Sequence, residues 1–332
     1  MNRPLEESTF VALRLVMMGT GGFALPTFNS LLESDHRVAG LFTQPERTGR
    51  GHHHHANPLK DDAIEHGIPV FQPDRVNAPE ALADLRALNA DVFVVAAYGQ
   101  ILSDALLSIP RLGAINVHAS LLPKYRGAAP IQYAVLNGES VTGVTIFRIE
   151  PKLDSGPILA MAKTPIGPSE TAGELEERLA VMSVGLVRSV LHDMEAGTAR
   201  GTVQDAAQAT RAPRIRKEFG LIDWSKTAAE IDWHVRAMQP WPTAYTYLAR
   251  TGDQPLRLIV LEVQSADRSS PGAQPGTILD TMGGRIIVQT GSGSLEVVRL
   301  RPEGKKTMAA DEFLRGHAIR PGMRFESRQL QG

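Results

Sequence analysis

The strongest constraint on the fold is an alternation between short apolar runs and amphipathic stretches of helical period, which continues through the first half of the chain. Each apolar run has the length of a buried strand, and the stretch after it has room for a crossover helix. This alternation is typical of an α/β fold built on a parallel sheet. We predict strands at Leu15–Met18, Val38–Thr43, Val92–Ala96, Ala114–Val117 and Val144–Ile149.

A long helix is predicted to close this first domain. Thr171 and Glu174 have the spacing of a capping box, and Gly197 is a typical residue for a helix end. Apolar residues recur between them at helical spacing, at Leu175, Leu179, Met182, Leu186, Val190 and Met194.

The pattern changes after residue 200. Residues 201–221 have no sustained apolar period and are rich in basic residues, so we interpret them as a basic linker. Short β-branched runs separated by Gly, Pro and Ser clusters follow, which is typical of a small antiparallel barrel. The runs are Leu256–Val263, Gly276–Leu279, Arg285–Thr290 and Leu295–Leu300.

Composition excludes several classes of protein. With 42% hydrophobic residues, the chain has no apolar run near the roughly 18 residues that a membrane span needs. The segment Leu13–Met18 contains Arg14 and follows two glutamates, which suits neither a signal peptide nor a transit peptide. The absence of cysteine excludes disulfides, thiolate nucleophiles and cysteine zinc sites. We expect a cytoplasmic protein without a membrane partner.

The charge is distributed unevenly. Residues 1–212 hold 18 basic and 23 acidic side chains, whereas residues 213–332 hold 17 and 13. A basic second half favours a polyanionic partner, although an excess of this size also arises by chance.

Two polar positions stand at the end of the strand predicted over Ala114–Val117. Asn116 and His118 are two residues apart, so their side chains point to the same face. An amide donor beside an imidazole at a sheet edge can stabilise an oxyanion and move a proton. A strand-end histidine satisfied by its neighbours is the alternative interpretation.

A third candidate is Asp154, which follows the strand predicted over Val144–Ile149 on a glycine-containing turn. A turn aspartate without a catalytic role is the alternative. With Asn116 and His118 at a neighbouring strand end, Asp154 would complete an acyl-transfer site without a covalent nucleophile.

These residues lie in a run that resembles the signature of the methionyl-tRNA formyltransferase family: Gly113 through Gln132, read as GAINVHASLLPKYRGAAPIQ. The resemblance extends from about residue 13 to 325 and includes the Gly49–Gly51 loop, which together with the second domain indicates a tRNA acceptor. Motifs around His118 and Asp154 are shared by folate formyltransferases more widely. Further similar segments are Phe42–Pro45, Ala97–Gly99, Thr142–Thr145, Ile222–Trp224 and Pro240–Pro242.

The resemblance implies a Rossmann-like parallel-sheet domain followed by a small OB-like β-barrel. It implies transfer of the formyl group of 10-formyltetrahydrofolate to the α-amino group of methionine on initiator tRNA, through a tetrahedral oxyanion, by a monomer without a metal. The implied domains are an N-terminal extension at 1–12, a formyltransferase domain at 13–200, the linker at 201–221 and a tRNA-binding barrel at 222–332.

Residue roles are also implied by the resemblance. The catalytic residues fall on Asn116, His118 and Asp154. Folate binding falls on Tyr98, Gly99, Leu102, Ser120, Leu121, Leu122 and Pro123, with contacts mainly through the backbone. We expect tRNA to be bound by Arg47, Arg50, Arg214, Arg216 and Lys217.

Two departures from the family leave alternatives open. Gly21-Gly22 replaces a proline-containing pair, so Gly19, Gly21 and Ala24 also fit a dinucleotide fingerprint, with Glu46 available for a ribose. The tract His52–His55 stands where relatives commonly have lysines. A metal site, an RNA-facing loop and an artificially introduced sequence are the possible interpretations of the tract, and we favour the RNA-facing loop.

Two further functions compete with transfer to tRNA. A formyltransferase acting on the amine of a sugar nucleotide would resemble this chain in the His118 segment and in the second domain. A nucleic-acid-binding module with a degenerate catalytic domain is the other alternative. The intact set of Asn116, His118 and Asp154 argues against the second.

Overall fold

The computed structural model describes residues 12–46, 57–249, 254–268, 270 and 272–327. Arg47, Arg50, the Gly49–Gly51 loop, the tract His52–His55 and most of the N-terminal extension lie outside the described residues. The chain forms two compact units. The first extends to Pro130 and adds Thr142–Pro165 and Glu176–Ala212, and the second comprises Ile131–Val141, Ile166–Leu175 and Pro213 onward.

The first part of the chain alternates strands and helices, as the sequence predicts. The strands are β1 (Arg14–Gly19), β2 (Arg37–Phe42), β3 (Val70–Phe71), β4 (Val92–Ala96), β5 (Ala114–His118), β6 (Val141–Arg148) and β7 (Ile158–Pro165). The helices are α1 (Leu25–Leu32), α2 (Pro58–Glu65), α3 (Pro79–Ala87), α4 (Asp104–Leu107), α5 (Pro130–Leu136) and α6 (Ala172–Glu195).

The seven strands form one sheet in the order β3-β2-β1-β4-β5-β6-β7. The pairs β2–β3, β1–β2, β1–β4 and β4–β5 are parallel, which confirms the predicted parallel α/β sheet. The order reverses direction between β1 and β4, so the carboxyl ends of β1, β4 and β5 border the crevice where open α/β folds bind ligands.

The strand β6 runs antiparallel to β5, with His118 opposite Thr145 and Ile115 opposite Arg148. The sequence predicted that the strand before Asp154 ends beside the end of β5. This is wrong, because β6 ends beside the start of β5. Residues 149–157 must fold back along the sheet for Asp154 to reach the end of β5.

The helix α6 begins as predicted. The Thr171 backbone N–H donates to the Glu174 carboxylate at 2.9 Å, and the Glu174 N–H donates to the Thr171 hydroxyl at 3.3 Å. Beyond the helix, Gly197 adopts φ +67°, the left-handed conformation that ends helices. Among the described residues, no helix is long and apolar enough to cross a membrane.

The second unit contains an antiparallel sheet in the order β10-β11-β12-β9-β8-β14, with β13 paired to β12. Hydrogen bonds from Ile278 N to Met323 O (2.8 Å) and from Phe325 N to Gly276 O (2.9 Å) join the two outer edges, as in a barrel. The elements are α7 (Ala228–Ala237), β8 (Ala244–Leu248), β9 (Leu256–Ala266), β10 (Ile278–Asp280), β11 (Ile286–Gln289), β12 (Ser294–Pro302), β13 (Met308–Ala309), α8 (Ala310–Gly316) and β14 (Phe325–Glu326).

The stretch 201–221, interpreted from sequence as a linker, contains two segments that are bonded to different units. Thr202 exchanges two 2.8 Å backbone hydrogen bonds with Ile158, and Ala212 N donates to Arg126 O, both within the first unit. In the second unit, Ile222 N donates to Tyr245 O at 2.8 Å, directly after the basic residues. The change from one unit to the other falls between Ala212 and Pro213.

Replacement of glycine by alanine should have opposite effects on stability at two positions of the first domain. Gly185 is exposed in the middle of α6, and a Cβ there meets no atom within 4 Å. We expect Gly185→Ala to raise the free energy of unfolding by about 0.5–1 kcal/mol, the helical penalty of glycine. A Cβ on Gly143 would lie 2.0 Å from the Ala162 carbonyl oxygen. Gly143→Ala should lower stability by about 1–3 kcal/mol, as overpacking does.

Urea unfolding of the full chain, followed by circular dichroism, measures both variants against the unsubstituted protein. A Gly143→Ala variant as stable as Gly185→Ala would contradict the close packing of β6 against β7.

Candidate functional site

The candidate site is built on β5, which places Asn116 and His118 on one face because strand side chains alternate. Asn116 is partly exposed, and its side-chain amide makes no hydrogen bond among the described residues. His118 is buried, with 5% of its surface exposed. The strand thus offers one free amide beside one enclosed imidazole.

The orientation of the His118 ring is set by two neighbours. Its Nε2 lies 3.0 Å from the carbonyl oxygen of Tyr125, and its ring meets Phe147 edge to face with 6.2 Å between centroids. A carbonyl can only accept, so Nε2 carries the proton and donates. In the neutral ring, Nδ1 therefore holds the lone pair.

The Asp154 carboxylate faces this lone pair. Its Oδ2 lies 3.9 Å from His118 Nδ1 and accepts a 2.7 Å hydrogen bond from the backbone N–H of Gly127. At 3.9 Å the two groups are too far apart for a direct hydrogen bond, so Nδ1 stays available to a ligand. The structure thus brings His118 and Asp154 together, as the sequence predicts.

The pKa of His118 is lowered from its ordinary value. Burial is the main cause, because it disfavours the charged ring, while the Asp154 carboxylate and the Tyr125 carbonyl act in the opposite direction. The imidazole is therefore neutral near pH 7 and can accept a proton at Nδ1. Once it is protonated, the nearby carboxylate stabilises it.

The turn after β5 is organised around Thr145 of the neighbouring strand. The Thr145 hydroxyl donates to Ser120 O at 2.6 Å and accepts from Leu122 N at 3.2 Å. The Ser120 hydroxyl donates to Lys124 O at 2.7 Å, so it is engaged inside the turn. Leu122 is buried, whereas Leu121 and Pro123 are partly exposed.

The other residues expected to bind folate follow β4. Tyr98 and Leu102 belong to the hydrophobic core, and burial raises the pKa of the Tyr98 phenol. Gly99 is exposed with φ +81°, and the Gln44 side chain donates to Tyr98 O at 2.9 Å. Tyr98 and Leu102 therefore shape this segment through packing, and the Gly99 backbone is exposed.

Sequence reasoning missed Gln204 and gave no role to Arg126. Gln204 is buried and donates to the carbonyls of Asp154 (2.9 Å) and Gly156 (2.8 Å). Its own oxygen accepts from the Arg126 guanidinium at 2.7 and 3.2 Å. No pattern distinguishes this glutamine in the sequence, because it lies in a stretch without apolar period, far along the chain from Asp154.

The dinucleotide alternative gains no support from the residues after β2. The Glu46 carboxylate, the candidate partner of a ribose, accepts from Lys60 Nζ through both oxygens, at 3.0 and 3.1 Å. Within the described ranges, no group of three or more His, Cys, Asp and Glu residues is placed to hold a metal ion.

The basic residues of the second unit that are expected to bind tRNA are exposed to solvent. Arg214, Arg216 and Lys217 are exposed, while Ile215 between them is buried. In the part of the chain that the structure describes, none of the three forms an ion pair. The segment therefore presents free positive charge on an anchored backbone.

The proximity of the Asp154 carboxylate to His118 should affect the pKa of the imidazole. We expect His118 to titrate below the ordinary histidine pKa of about 6.5. Asp154→Asn should lower its pKa further, because the carboxylate favours the protonated ring. Nuclear magnetic resonance titration of protein labelled in its histidine rings measures both values, and the distant His36 serves as the control. A His118 pKa that is unchanged by Asp154→Asn would contradict the interaction.

Comparison with known proteins gives the family. The family profile described as formyl transferase matches residues 13–191, and that described as formyl transferase, C-terminal domain, matches residues 214–318. A protein of Citrifermentans bemidjiense named methionyl-tRNA formyltransferase is 45% identical over 311 residues, which cover 93% of this chain and 95% of the relative.

Solved structures share the fold at low identity. The sugar 3N-formyl transferase WlaRD, solved with dTDP and 5-N-formyl-THF, has a TM-score of 0.63 at 16% identity, covering 89% of this chain and 100% of that one. HypX from Aquifex aeolicus, solved with tetrahydrofolic acid, has a TM-score of 0.59 at 15% identity, covering 91% of this chain and 46% of that one.

Both family profiles match in the order in which the two units occur, and the relative matches over almost its whole length. The chain belongs to the formyl transferase family.

Proposed function

We propose that this chain transfers the formyl group of 10-formyltetrahydrofolate to the α-amino group of methionine carried by initiator tRNA. The observation that carries the proposal is that the Asp154 carboxylate lies 3.9 Å from His118 Nδ1, on the strand that also presents the free amide of Asn116. The near full-length similarity to a relative named methionyl-tRNA formyltransferase supports the acceptor.

The chemistry follows from the groups present. The aminoacyl α-amine has a reference pKa of about 7.7–8.0, so part of it is neutral and nucleophilic at neutral pH. When the amine attacks the formyl carbon, the carbonyl oxygen becomes an oxyanion, and the Asn116 amide is placed to donate to it. His118 Nδ1 accepts the surplus proton of the amine, and Asp154 stabilises the imidazolium.

Collapse of the tetrahedral species completes the transfer. The bond between the formyl carbon and the folate nitrogen breaks, and His118 returns its proton to that leaving nitrogen. The ring is neutral again, with its proton on Nε2 held by Tyr125. No covalent link to the protein forms in this sequence.

The folate donor is proposed to bind along the segments after β4 and β5. The exposed Gly99 backbone and the turn Ser120–Pro123 supply backbone groups beside Asn116, while Tyr98 and Leu102 support the first segment from the core. The HypX neighbour was solved with tetrahydrofolic acid, which is consistent with such a donor.

Transfer RNA is proposed to contact the basic segment of the second unit. Arg214, Arg216 and Lys217 are exposed and suited to phosphates. Arg47 and Arg50 are proposed to bind the acceptor end from the loop outside the described residues. We further propose that the enzyme is cytoplasmic and acts as a monomer.

Acceptor specificity tests the function. Wild-type enzyme with labelled 10-formyltetrahydrofolate should formylate methionyl initiator tRNA far faster than charged elongator tRNA or an amino sugar nucleotide. The rate of label transfer to each acceptor measures this. A preference for the sugar nucleotide would replace the proposal with the function suggested by the WlaRD fold.

Site variants are the controls for this assay. His118→Ala and Asn116→Ala should each lower kcat by about 100- to 1000-fold, as expected for groups that act on the transition state. Folate binding should remain nearly intact, because neither side chain is assigned to the donor site. A variant with normal kcat would remove that residue from the mechanism.

If the basic segment binds tRNA phosphates, the affinity for tRNA should fall as the salt concentration rises. The logarithm of the tRNA association constant should fall linearly with the logarithm of salt concentration, with a slope of about 0.7–0.9 per phosphate contact. Replacing Arg214, Arg216 and Lys217 together by alanine should make this slope shallower and leave folate binding unchanged. Arg188→Ala, which removes an exposed charge on α6, is the control. An unchanged slope in the triple variant would contradict the assignment.

A further inference from the structure

The segment 202–212 packs against both loops that hold the His118 ring. It begins with the paired backbone hydrogen bonds between Thr202 and Ile158. It ends with a parallel backbone β-bridge between Arg211 and Arg126. We call residues 202–212 the bracing segment. It lies about fifty residues after Asp154 in the chain and belongs to the same unit as the site.

The first contact of the bracing segment is made by Gln204. Both hydrogens of its amide are used, one on Asp154 O and one on Gly156 O, while Arg126 holds its oxygen. The reverse orientation of the amide would place oxygen against two carbonyl oxygens, so this orientation is determined. The amide is only 8% exposed, and it links the Asp154 loop to the loop that contains Arg126.

The second contact is made by Thr210. Its hydroxyl accepts from Tyr125 N at 2.8 Å, and its carbonyl accepts from Arg126 N at 2.9 Å. Tyr125 has φ +63°, and its own carbonyl holds His118 Nε2. Thr210 thus fixes the peptide that sets the tautomer of the ring.

We propose that the bracing segment is a positioning element of the active site, in which Gln204 sets the place of Asp154 and Thr210 sets that of the Tyr125 carbonyl. The two contacts act on opposite nitrogens of His118. Their effect on catalysis rests on the proposed function, whereas their effect on the ring itself does not.

The physical reason is that the hydrogen bonds to Asp154 come from outside its own loop. Asp154 has φ +47°, a left-handed conformation that is uncommon for residues with a side chain, although aspartate and asparagine adopt it more often than the others. Its carboxylate is fixed by Gly127 N, but its peptide is fixed by Gln204. Without the amide, the loop is free to relax to an ordinary backbone conformation and to move the carboxylate away from Nδ1.

Gln204→Ala and Gln204→Glu test the first contact. Both remove the donor to the two carbonyls, but the glutamate keeps an acceptor for Arg126. We expect both variants to lower kcat by about 10- to 100-fold, the effect of a misplacement near 1 Å, with KM values little changed. Gln208→Ala is the matched control, because Gln208 is an exposed glutamine of the same segment bonded to the side chain of Asp205.

Thr210→Val and Thr210→Ser test the second contact. Valine keeps the shape but removes the acceptor of Tyr125 N, whereas serine keeps the acceptor. We expect Thr210→Val to lower kcat, and Thr210→Ser to retain the wild-type value.

Titration of His118 in the substrate-free protein distinguishes a role of Gln204 in positioning Asp154 from a role in the overall stability of the fold. Asp154 is the charged group that faces the ring, with the Tyr125 carbonyl and Phe147 around it. Gln204→Ala should lower the His118 pKa toward its value in Asp154→Asn, whereas Gln204→Glu adds a negative charge of its own near the ring and is therefore judged by kcat alone. Gln208→Ala should leave it unchanged.

These outcomes distinguish the two proposals. If the wild type fails to formylate methionyl-tRNA, the proposed function fails, and the His118 titration still decides the role of Gln204. An unchanged His118 pKa in Gln204→Ala, together with an unchanged kcat in both Gln204 variants, would overturn the positioning role. Loss of folate binding together with a lower thermal midpoint, and with no specific loss of kcat, would overturn it too.

Discussion

The hydrogen bond from His118 Nε2 to the Tyr125 carbonyl is the interaction on which the rest of the site depends. A carbonyl accepts and never donates, so this one contact fixes the proton on Nε2 and leaves the lone pair of the neutral ring on Nδ1. Burial keeps the ring neutral, and Asp154 stands where the protonated ring needs a counter-charge. A neutral imidazole with a nearby counter-charge thus arises from one strand end and two loops.

The direction of β6 explains why the Asp154 loop requires support from elsewhere. If β6 were parallel to β5, the two strand ends would meet and a short turn would bring the aspartate to the histidine. Because β6 is antiparallel, residues 149–157 travel back along the sheet and pass Asp154 through a left-handed conformation. Ser155 bonds to Lys152 within this loop, whereas Asp154 gains its hydrogen bonds from Gly127 and Gln204, which belong to other parts of the chain.

The sequence predicted correctly those strands and helix ends that depend on interactions between residues close together in the chain. The strand Val92–Ala96 has the same bounds in the structure, and the capping box of Thr171 and Glu174 forms as expected. The sequence did not predict β3, which has two residues, or β7, an edge strand without a fully buried face. It predicted one site from Asn116, His118 and Asp154, of which His118 and Asp154 lie 3.9 Å apart between Nδ1 and Oδ2. It missed Gln204, because a glutamine whose partners lie some fifty and eighty residues away leaves no periodic signal.

The energies explain why hydrogen bonds from two other segments are needed at Asp154. The left-handed conformation costs most residues with a side chain roughly 1–2 kcal/mol, and aspartate is among the residues that tolerate it best. A typical hydrogen bond contributes about 0.5–1.5 kcal/mol net. The bond from Gly127 and the two from Gln204 together match or exceed this cost. With the Gln204 pair removed, Asp154 would keep only the bond from Gly127, and we expect its carboxylate to lose its defined place opposite Nδ1. We therefore expect Gln204 to determine how well the imidazole and its counter-charge are aligned.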